Sequence, residues 1–284
     1  MRKIPVFYHI PKNAGTYVSD WFLITFRYYR RTYTDWLKNQ TLESDTIKSI
    51  QIVENGFIIA RVLVGDPEHF CDDNPNLFIK SSNAEFNTNL KSLTKEFFDN
   101  TFLFGIIIEG RGFVMKEEIL NLFEKYILHE FLLLRDSFSR AQSLYNYITS
   151  ASSKHEKTHG LIKSPTFESY IMSEQLEDSW LIRQFAKIED QIPINECHFN
   201  TTIDTLTSFN LYSIKDVEQA IRDTFLECYD FDIQSIILKS WDTVTKNETT
   251  EKKIKFEELP KNTQLVFLER TYWDNKLYNT FLNT

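Results

Sequence analysis

Short apolar runs alternate with amphipathic stretches through the first half of this chain. Apolar runs bounded by polar or turn-forming residues predict strands at Ile4–Tyr8, Ser49–Val53, Phe57–Val64, Leu77–Lys80, Leu103–Ile108 and Phe131–Leu134. Apolar residues at helical spacing predict helices at Thr16–Tyr29, Leu90–Asp99, Lys116–Tyr126, Ser137–Thr149, Phe167–Met172, Glu177–Ile188, Lys215–Cys228 and Thr263–Phe281. In the first of these, Val18, Trp21, Phe22 and Phe26 fall along one side. Glu54-Asn55-Gly56 separates the second and third strands, and Asn-Gly is a strong hairpin signal. Ser213 with Asp216 three residues on resembles a capping box. Strand–helix alternation favours an α/β fold with a central parallel sheet, followed by a mostly helical C-terminal half. No repeat, low-complexity tract or long linker interrupts the chain, so a single domain over residues 1–284 is expected.

Composition narrows the function classes. Apolar residues make up 42% of the 284 and aromatics 15%, enough for a sizeable core. No run of about eighteen apolar residues is present, so no membrane span is expected. There is no signal peptide, and the first strand starts at Ile4. If Met1 is the natural start, the expectation is a soluble, cytoplasmic protein. Cys71, Cys197 and Cys228 lack metal-type spacing, and their odd number argues against a disulfide framework. The net charge of −8 argues against a nucleic-acid surface and against binding of highly sulfated polymers. Arg27, Arg30, Arg31 and Lys38 form the clearest basic cluster, which suits a helix C-terminus. Ser150 to Pro165, with Lys154, His155, Lys157 and His159, reads as an exposed polar loop.

Two segments carry candidate chemistry. His9-Ile10-Pro11-Lys12-Asn13-Ala14-Gly15-Thr16 lies between the first strand and the first helix. A helix start presents free N–H groups and the positive end of the dipole, which favour an anion. Lys12 adds a cation, Gly15 lets the backbone come close to a ligand, and Thr16 adds a hydroxyl. The Walker A pattern is absent, which disfavours a conventional ATP or GTP enzyme. The second segment, Glu130 to Ile148, places Arg135 at the C-terminal end of a strand, where open α/β sheets bind ligands. Ser137 is placed to cap the following helix, and Ser143 lies about two turns into it. A guanidinium fork plus a hydroxyl suits a phosphate monoester. Taken separately, each segment also fits an ordinary strand-to-helix turn with solvated charges.

Together the segments resemble those of sulfotransferases that use 3′-phosphoadenosine-5′-phosphosulfate (PAPS), in the carbohydrate branch that includes heparan sulfate 2-O-sulfotransferases. The first is similar to the 5′-phosphosulfate loop H-x-P-K-[ST]-[AG]-[GS]-[ST], with Asn13 in place of Ser or Thr. The second is similar to the 3′-phosphate motif L-R-[DE]-P-x-x-R-x-x-S-x-[YW], matched at Leu134, Arg135, Asp136, Arg140, Ser143 and Tyr145, with Ser137 in place of proline. Glu177 to Lys187 resembles the N-x-x-T-R-x-L-x-G segment, with Arg183 as its arginine. Lys246-Asn247-Glu248-Thr249 resembles a late x-N-x-[ST] loop, and Leu265 to Leu282 the final helix with Trp273-Asp274 and Leu277-Tyr278.

The resemblance implies a P-loop-like three-layer α/β/α fold and sulfuryl transfer from PAPS to an acceptor hydroxyl or amine, releasing adenosine 3′,5′-bisphosphate without a required metal. A small-molecule or glycan acceptor, with a carbohydrate first, follows from the family alone. Lys12 then serves the leaving oxygen. Asn13, Ala14, Gly15, Thr16 and Tyr17 surround the 5′-phosphate, and Arg135 and Ser143 hold the 3′-phosphate. Arg183, Lys246, Asn247 and Thr249 add donor contacts. A Gly-His segment often supplies the family's general base, but here Ile108-Glu109-Gly110-Arg111 puts arginine at the histidine position, and arginine is no base at neutral pH. Glu109, with a pKa raised by burial, is the first candidate base and His9 the second. Pairing of Glu109 with Arg111 is the rival reading. A non-catalytic nucleotide- or partner-binding protein on the same fold, and a kinase or other transferase with a divergent phosphate loop, are the alternative functions.

Overall fold

A computed structural model describes residues 3–22, 48–54, 57–64, 76–80, 104–113, 115–149, 164–189, 191–229 and 253–282. The chain forms two compact units. The first comprises Met1–Ile10, Ala14–Leu133 and Lys215–Lys246, and the second Pro11–Asn13, Leu134–Ile214 and Asn247–Thr284.

The first unit is built on β1 (Lys3–His9), β2 (Lys48–Glu54), β3 (Phe57–Val64), β4 (Asn76–Lys80), β5 (Phe104–Glu109) and β6 (Ile127–Leu134), in the order β4-β2-β3-β5-β1-β6. β1 runs parallel to β5 and β6, and β2 parallel to β4, whereas β3 is antiparallel to β2 and β5. The α/β class thus holds, but the sheet is mostly rather than wholly parallel. The cause is the two-residue separation of β2 and β3. Two residues can join only antiparallel neighbours, so β3 must reverse. Ile4–Tyr8 and Ile106–Ile108 are completely buried, as continuous apolar runs in a parallel sheet covered on both faces should be. Helix α1, described over residues 15–22, contributes buried Val18, Trp21 and Phe22. Phe22 meets Phe225 of α7 (Val217–Tyr229) at a ring distance of 5.3 Å.

β6 begins four residues before the predicted start, and the predicted helix Lys116–Tyr126 shortens to α2 (Lys116–Leu120) and a 3-10 turn (Asn121–Phe123). The polar pair His129-Glu130 obscured this strand in the sequence. Both side chains are satisfied: the Tyr8 hydroxyl donates to the Glu130 carboxylate at 2.6 Å, and His129 Nε2 lies 3.5 Å from Thr224 Oγ1.

The second unit is mostly helical among the described residues: α3 (Ser137–Thr149), α4 (Phe167–Met172), α5 (Trp180–Ala186), α6 (Glu196–Leu206), α8 (Lys261–Arg270), α9 (Tyr272–Leu282) and the short strand β7 (Asn210–Ser213). The sequence reading had no counterpart for α6 or β7. Asn195 caps α6 by accepting from His198 N–H at 3.2 Å, and Thr166 does the same for α4 from Ser169 N–H at 3.1 Å. The core of this unit gathers Ala141, Phe167, Tyr170, Ile171, Leu176, Leu259 and Phe267. Phe138 packs edge-on against Phe167, Phe256 and Phe267. The predicted helix Thr263–Phe281 divides at Thr271, whose hydroxyl donates to the Phe267 carbonyl at 2.7 Å. Ser213, the expected capping residue, ends β7 and is followed by a 3-10 turn, Ile214–Asp216, that leads into α7. No described helix is long and apolar enough to cross a membrane. The predicted helix Leu90–Asp99, Cys71 and the basic residues Arg27 to Lys38 lie outside the described residues. Of the other thiols, Cys197 is exposed and Cys228 buried, and neither is in a disulfide.

Candidate functional site

β1 ends at His9, and α1 begins at Gly15, with its first intrahelical bond from Val18 N–H to the Ala14 carbonyl at 3.0 Å. A helix start leaves its first N–H groups without intrahelical partners. Lys12 and Ala14 adopt left-handed backbone, with φ of 69° and 57°. That conformation costs a residue bearing a Cβ roughly 1–2 kcal/mol, so the loop holds a strained shape at the predicted anion site. Gly15 has a steric role that the sequence did not suggest. A Cβ there would lie 1.8 Å from His9 Nε2, so its bare Cα makes room for the imidazole. Asn13 and Tyr17 are buried and Thr16 is exposed; the Tyr17 ring packs edge-on against Trp21 at 6.4 Å.

Within the first unit, the parallel register of β1 and β5 sets His9 opposite Glu109. His9 Nδ1 lies 3.5 Å from Glu109 Oε1. The same oxygen accepts from Arg61 Nη2. Arg61 comes from β3, whose reversed direction pairs it with Ile107. Burial pushes the Glu109 carboxyl upward, but the hydrogen bond and charge of His9 and those of Arg61 outweigh it, and the pKa falls below the ordinary carboxylate value. The expected rise is therefore corrected, because Glu109 is an ion-paired carboxylate. Among the described residues its arginine is Arg61; the side chain of Arg111, the partner in the rival reading, lies outside them. Sequence reading missed Arg61, since no local pattern links it to a carboxylate 48 positions away.

Within the second unit, the two phosphate-type segments meet. Arg135 Nη1 donates to the Lys12 carbonyl at 3.0 Å across 123 positions of sequence. Lys12 Nζ lies 4.0 Å from the centre of the Tyr147 ring. Burial and then the Arg135 charge lower the Lys12 pKa; burial lowers that of Arg135, partly offset by Asp136. Two half-buried cations thus share one place, and each disfavours the other's charge. Asp136, not Ser137, caps α3: its Oδ1 accepts from Ser139 N–H at 2.8 Å, and Ser137 is the first helical residue. Ser143 is half-buried on α3, and Tyr147, four residues on, shares its face. Tyr147 was missed, although this spacing was the signal available for it.

The remaining motif residues serve the fold. Arg140 bonds Glu177 at 3.1 Å and lies 5.4 Å from the Trp180 ring. Tyr145 packs on Phe167 and Tyr170. Arg183 is buried and engaged through four of its five N–H donors: Nε donates to the Asp178 carbonyl at 3.0 Å, Nη1 to the carbonyls of Glu189 and Ile192 at 2.8 Å each, and Nη2 to the Asp178 carboxylate at 3.2 Å. These bonds tie down the chain after α5 and leave the guanidinium committed to protein acceptors rather than to a donor nucleotide. Lys246, Asn247 and Thr249 lie outside the described residues. No family model matches this chain, and no curated protein or solved structure matches it.

Proposed function

We propose that the chain is a PAPS-dependent sulfotransferase with a P-loop-like donor site. The observation that carries this reading is the hydrogen bond from Arg135 to the Lys12 carbonyl. It joins the two segments whose order and composition resemble the 5′- and 3′-phosphate motifs. Two cations that repel one another, beside a strained loop, form a place that an anion would relieve. Lys12 acts on the charge that develops at the leaving phosphate oxygen, and Arg135 with Ser143 binds the 3′-phosphate. The acceptor on this reading is a hydroxyl or amine of a small molecule or glycan.

Calorimetry on Arg135→Ala tests the assignment. Affinity for adenosine 3′,5′-bisphosphate should fall by about 1.5–3 kcal/mol, the scale of a hydrogen bond to a charged group. Affinity for AMP, which lacks the 3′-phosphate, should change little; equal losses reject the role. In the wild type, thermal shift should favour the bisphosphate over ADP and AMP, and a preference for ADP points to a kinase-like transferase instead. The ion pairing of Glu109 favours one second reading, a non-catalytic nucleotide-binding protein, which bisphosphate binding without any transfer would establish.

A further inference from the structure

We propose that His129 is an acid-sensitive latch, which holds helix α7 against the sheet while neutral and loosens it when protonated. The latch lies wholly in the first unit and stands or falls independently of sulfuryl transfer. His129 is buried on β6, two residues before Phe131, whose ring it meets at 6.2 Å. Its Nε2 lies 3.5 Å from Thr224 Oγ1, in the buried face of α7 with Ala220, Ile221, Phe225 and Cys228. In the parallel register His129 stands beside Pro5 of β1, so Lys3, two residues earlier, shares its face of the sheet.

A proton on His129 enters a poorly compensated place. Three charged groups face it among the described residues: Lys3 from β1, and Asp223 and Glu227 from α7. Both carboxylates are already engaged. Glu227 accepts from Lys3 Nζ, and Asp223 Oδ1 accepts from Gln219 Nε2 at 2.6 Å. Burial is the largest influence on the imidazole. Burial and the Lys3 charge outweigh the two carboxylates and hold the His129 pKa below the ordinary histidine value. The unfolded chain therefore takes up this proton more readily than the folded one. Support for the closed state is complete above about pH 6.5 and is lost as pH falls from there through the lower folded value.

α7 does more than cover the sheet. Its Phe225 packs on Phe22 of α1 at a ring distance of 5.3 Å. Phe22 in turn lies against the bare Cα of Gly105 on β5, where a Cβ would stand 2.8 Å from its ring. Phe22 thus pins α1 between β5 and α7, and α1 is the helix that follows the phosphate-type loop. Loosening α7 removes one side of that clamp, so α1 answers to the charge on His129.

Hydrogen exchange on the full chain between about pH 7.5 and 5, corrected for intrinsic rates, tests this. Protection of α7 and of α1 should fall below about pH 6.5 by up to roughly tenfold per pH unit, the limit for uptake of one proton. β5 should keep its protection over the same range. A parallel loss in β5 overturns the latch, because the whole unit then opens together. His129→Gln should abolish the pH dependence in both helices, and its persistence there overturns the assignment. An NMR titration of the imidazole in the wild type needs no variant to fold. It should place the His129 pKa below about 6.5, and a value at or above that overturns the proposal. Lys3→Gln should raise the His129 pKa and lessen the loosening, whereas Glu227→Gln should lower it and deepen the loosening. Shifts of the same sign in the two variants overturn the latch, since a histidine that serves only to pack would not separate them.

Discussion

Arg135 and Arg183 belong to the same unit, and both lie in segments that resemble donor contacts, yet their surroundings are opposite. Around Arg183 the protein supplies its own acceptors. Three backbone carbonyls and one carboxylate take up the guanidinium, and the start of α5 is closed by Asp274, whose carboxylate accepts from Leu181 and Ile182 N–H at 3.4 Å each. Among the described residues Arg135 has only the Lys12 carbonyl as a hydrogen-bond acceptor, and its neighbour is a second cation. An arginine engaged from within holds a fold together. One that retains donors beside another positive charge is suited to an anion from outside. Residue type and motif position do not separate these cases, but the acceptors within reach do.

The largest expected effect belongs to Lys12. Lys12→Ala should lower the transfer rate by about 10²–10³-fold, by analogy with loss of one donor at a developing oxyanion. Bisphosphate affinity should fall much less, because the lysine acts mainly on charge that develops during transfer. Single-turnover rates and calorimetry on the same preparation separate the two, and near-normal turnover rejects the mechanism. Arg183→Ala should show the reverse pattern. Chemical denaturation should reveal a loss of about 3 kcal/mol, the upper end for hydrogen bonds to a charged group. Bisphosphate binding by the folded fraction should be preserved. A selective loss of that affinity without a loss of stability would return Arg183 to the donor site.

The sheet was largely readable because its strands are continuous apolar runs, and the hairpin because Asn-Gly permits few alternatives. β6 was shortened by His129 and Glu130, which are polar yet have partners supplied by Thr224 and Tyr8, 95 and 122 positions away. α6 escaped because its exposed face carries Thr and Asn residues that read as loop, although Phe199 and Leu206 are buried. In the candidate site, the residues on the two phosphate-type segments were legible from local pattern. The lowered Glu109 pKa was not, because its sign depends on His9 and on Arg61 arriving from a reversed strand. The packing of the His9 imidazole against Gly15 was not legible either, because no local pattern shows it.

Asp274 sharpens the contrast through pH. Burial raises its pKa from the ordinary value to about 6, while the Arg140 charge and the two α5 N–H groups pull it back. Between roughly pH 4 and 6 the folded chain holds a proton there that the unfolded chain has released, so this group favours the fold at low pH and that support is lost as pH rises through about 6. Two pH units set a ceiling of about 3 kcal/mol. Asp274→Asn should remove this component: the stability difference between variant and wild type should change across pH 4–6 and become flat above it. A constant difference across that window would mean that Asp274 is ionised throughout, as a permanent internal anion at α5.

The smallest effect tests how Lys12 waits for a ligand. Its ammonium lies 4.0 Å from the centre of the Tyr147 ring, a cation–π contact of about 0.5–1 kcal/mol at a partly exposed site. If the ring competes with a bound anion for the ammonium, Tyr147→Leu should relieve that competition. Bisphosphate affinity should then rise by about two- to fivefold, the equivalent of that energy. Stability should fall by no more than the same amount. The gain should vanish in a Lys12→Ala background, because the ring has no ammonium to hold there, and a double-mutant cycle measures this directly. A loss of affinity in Tyr147→Leu, persisting without Lys12, would instead make the ring itself a contact of the nucleotide, on the α3 face it shares with Ser143.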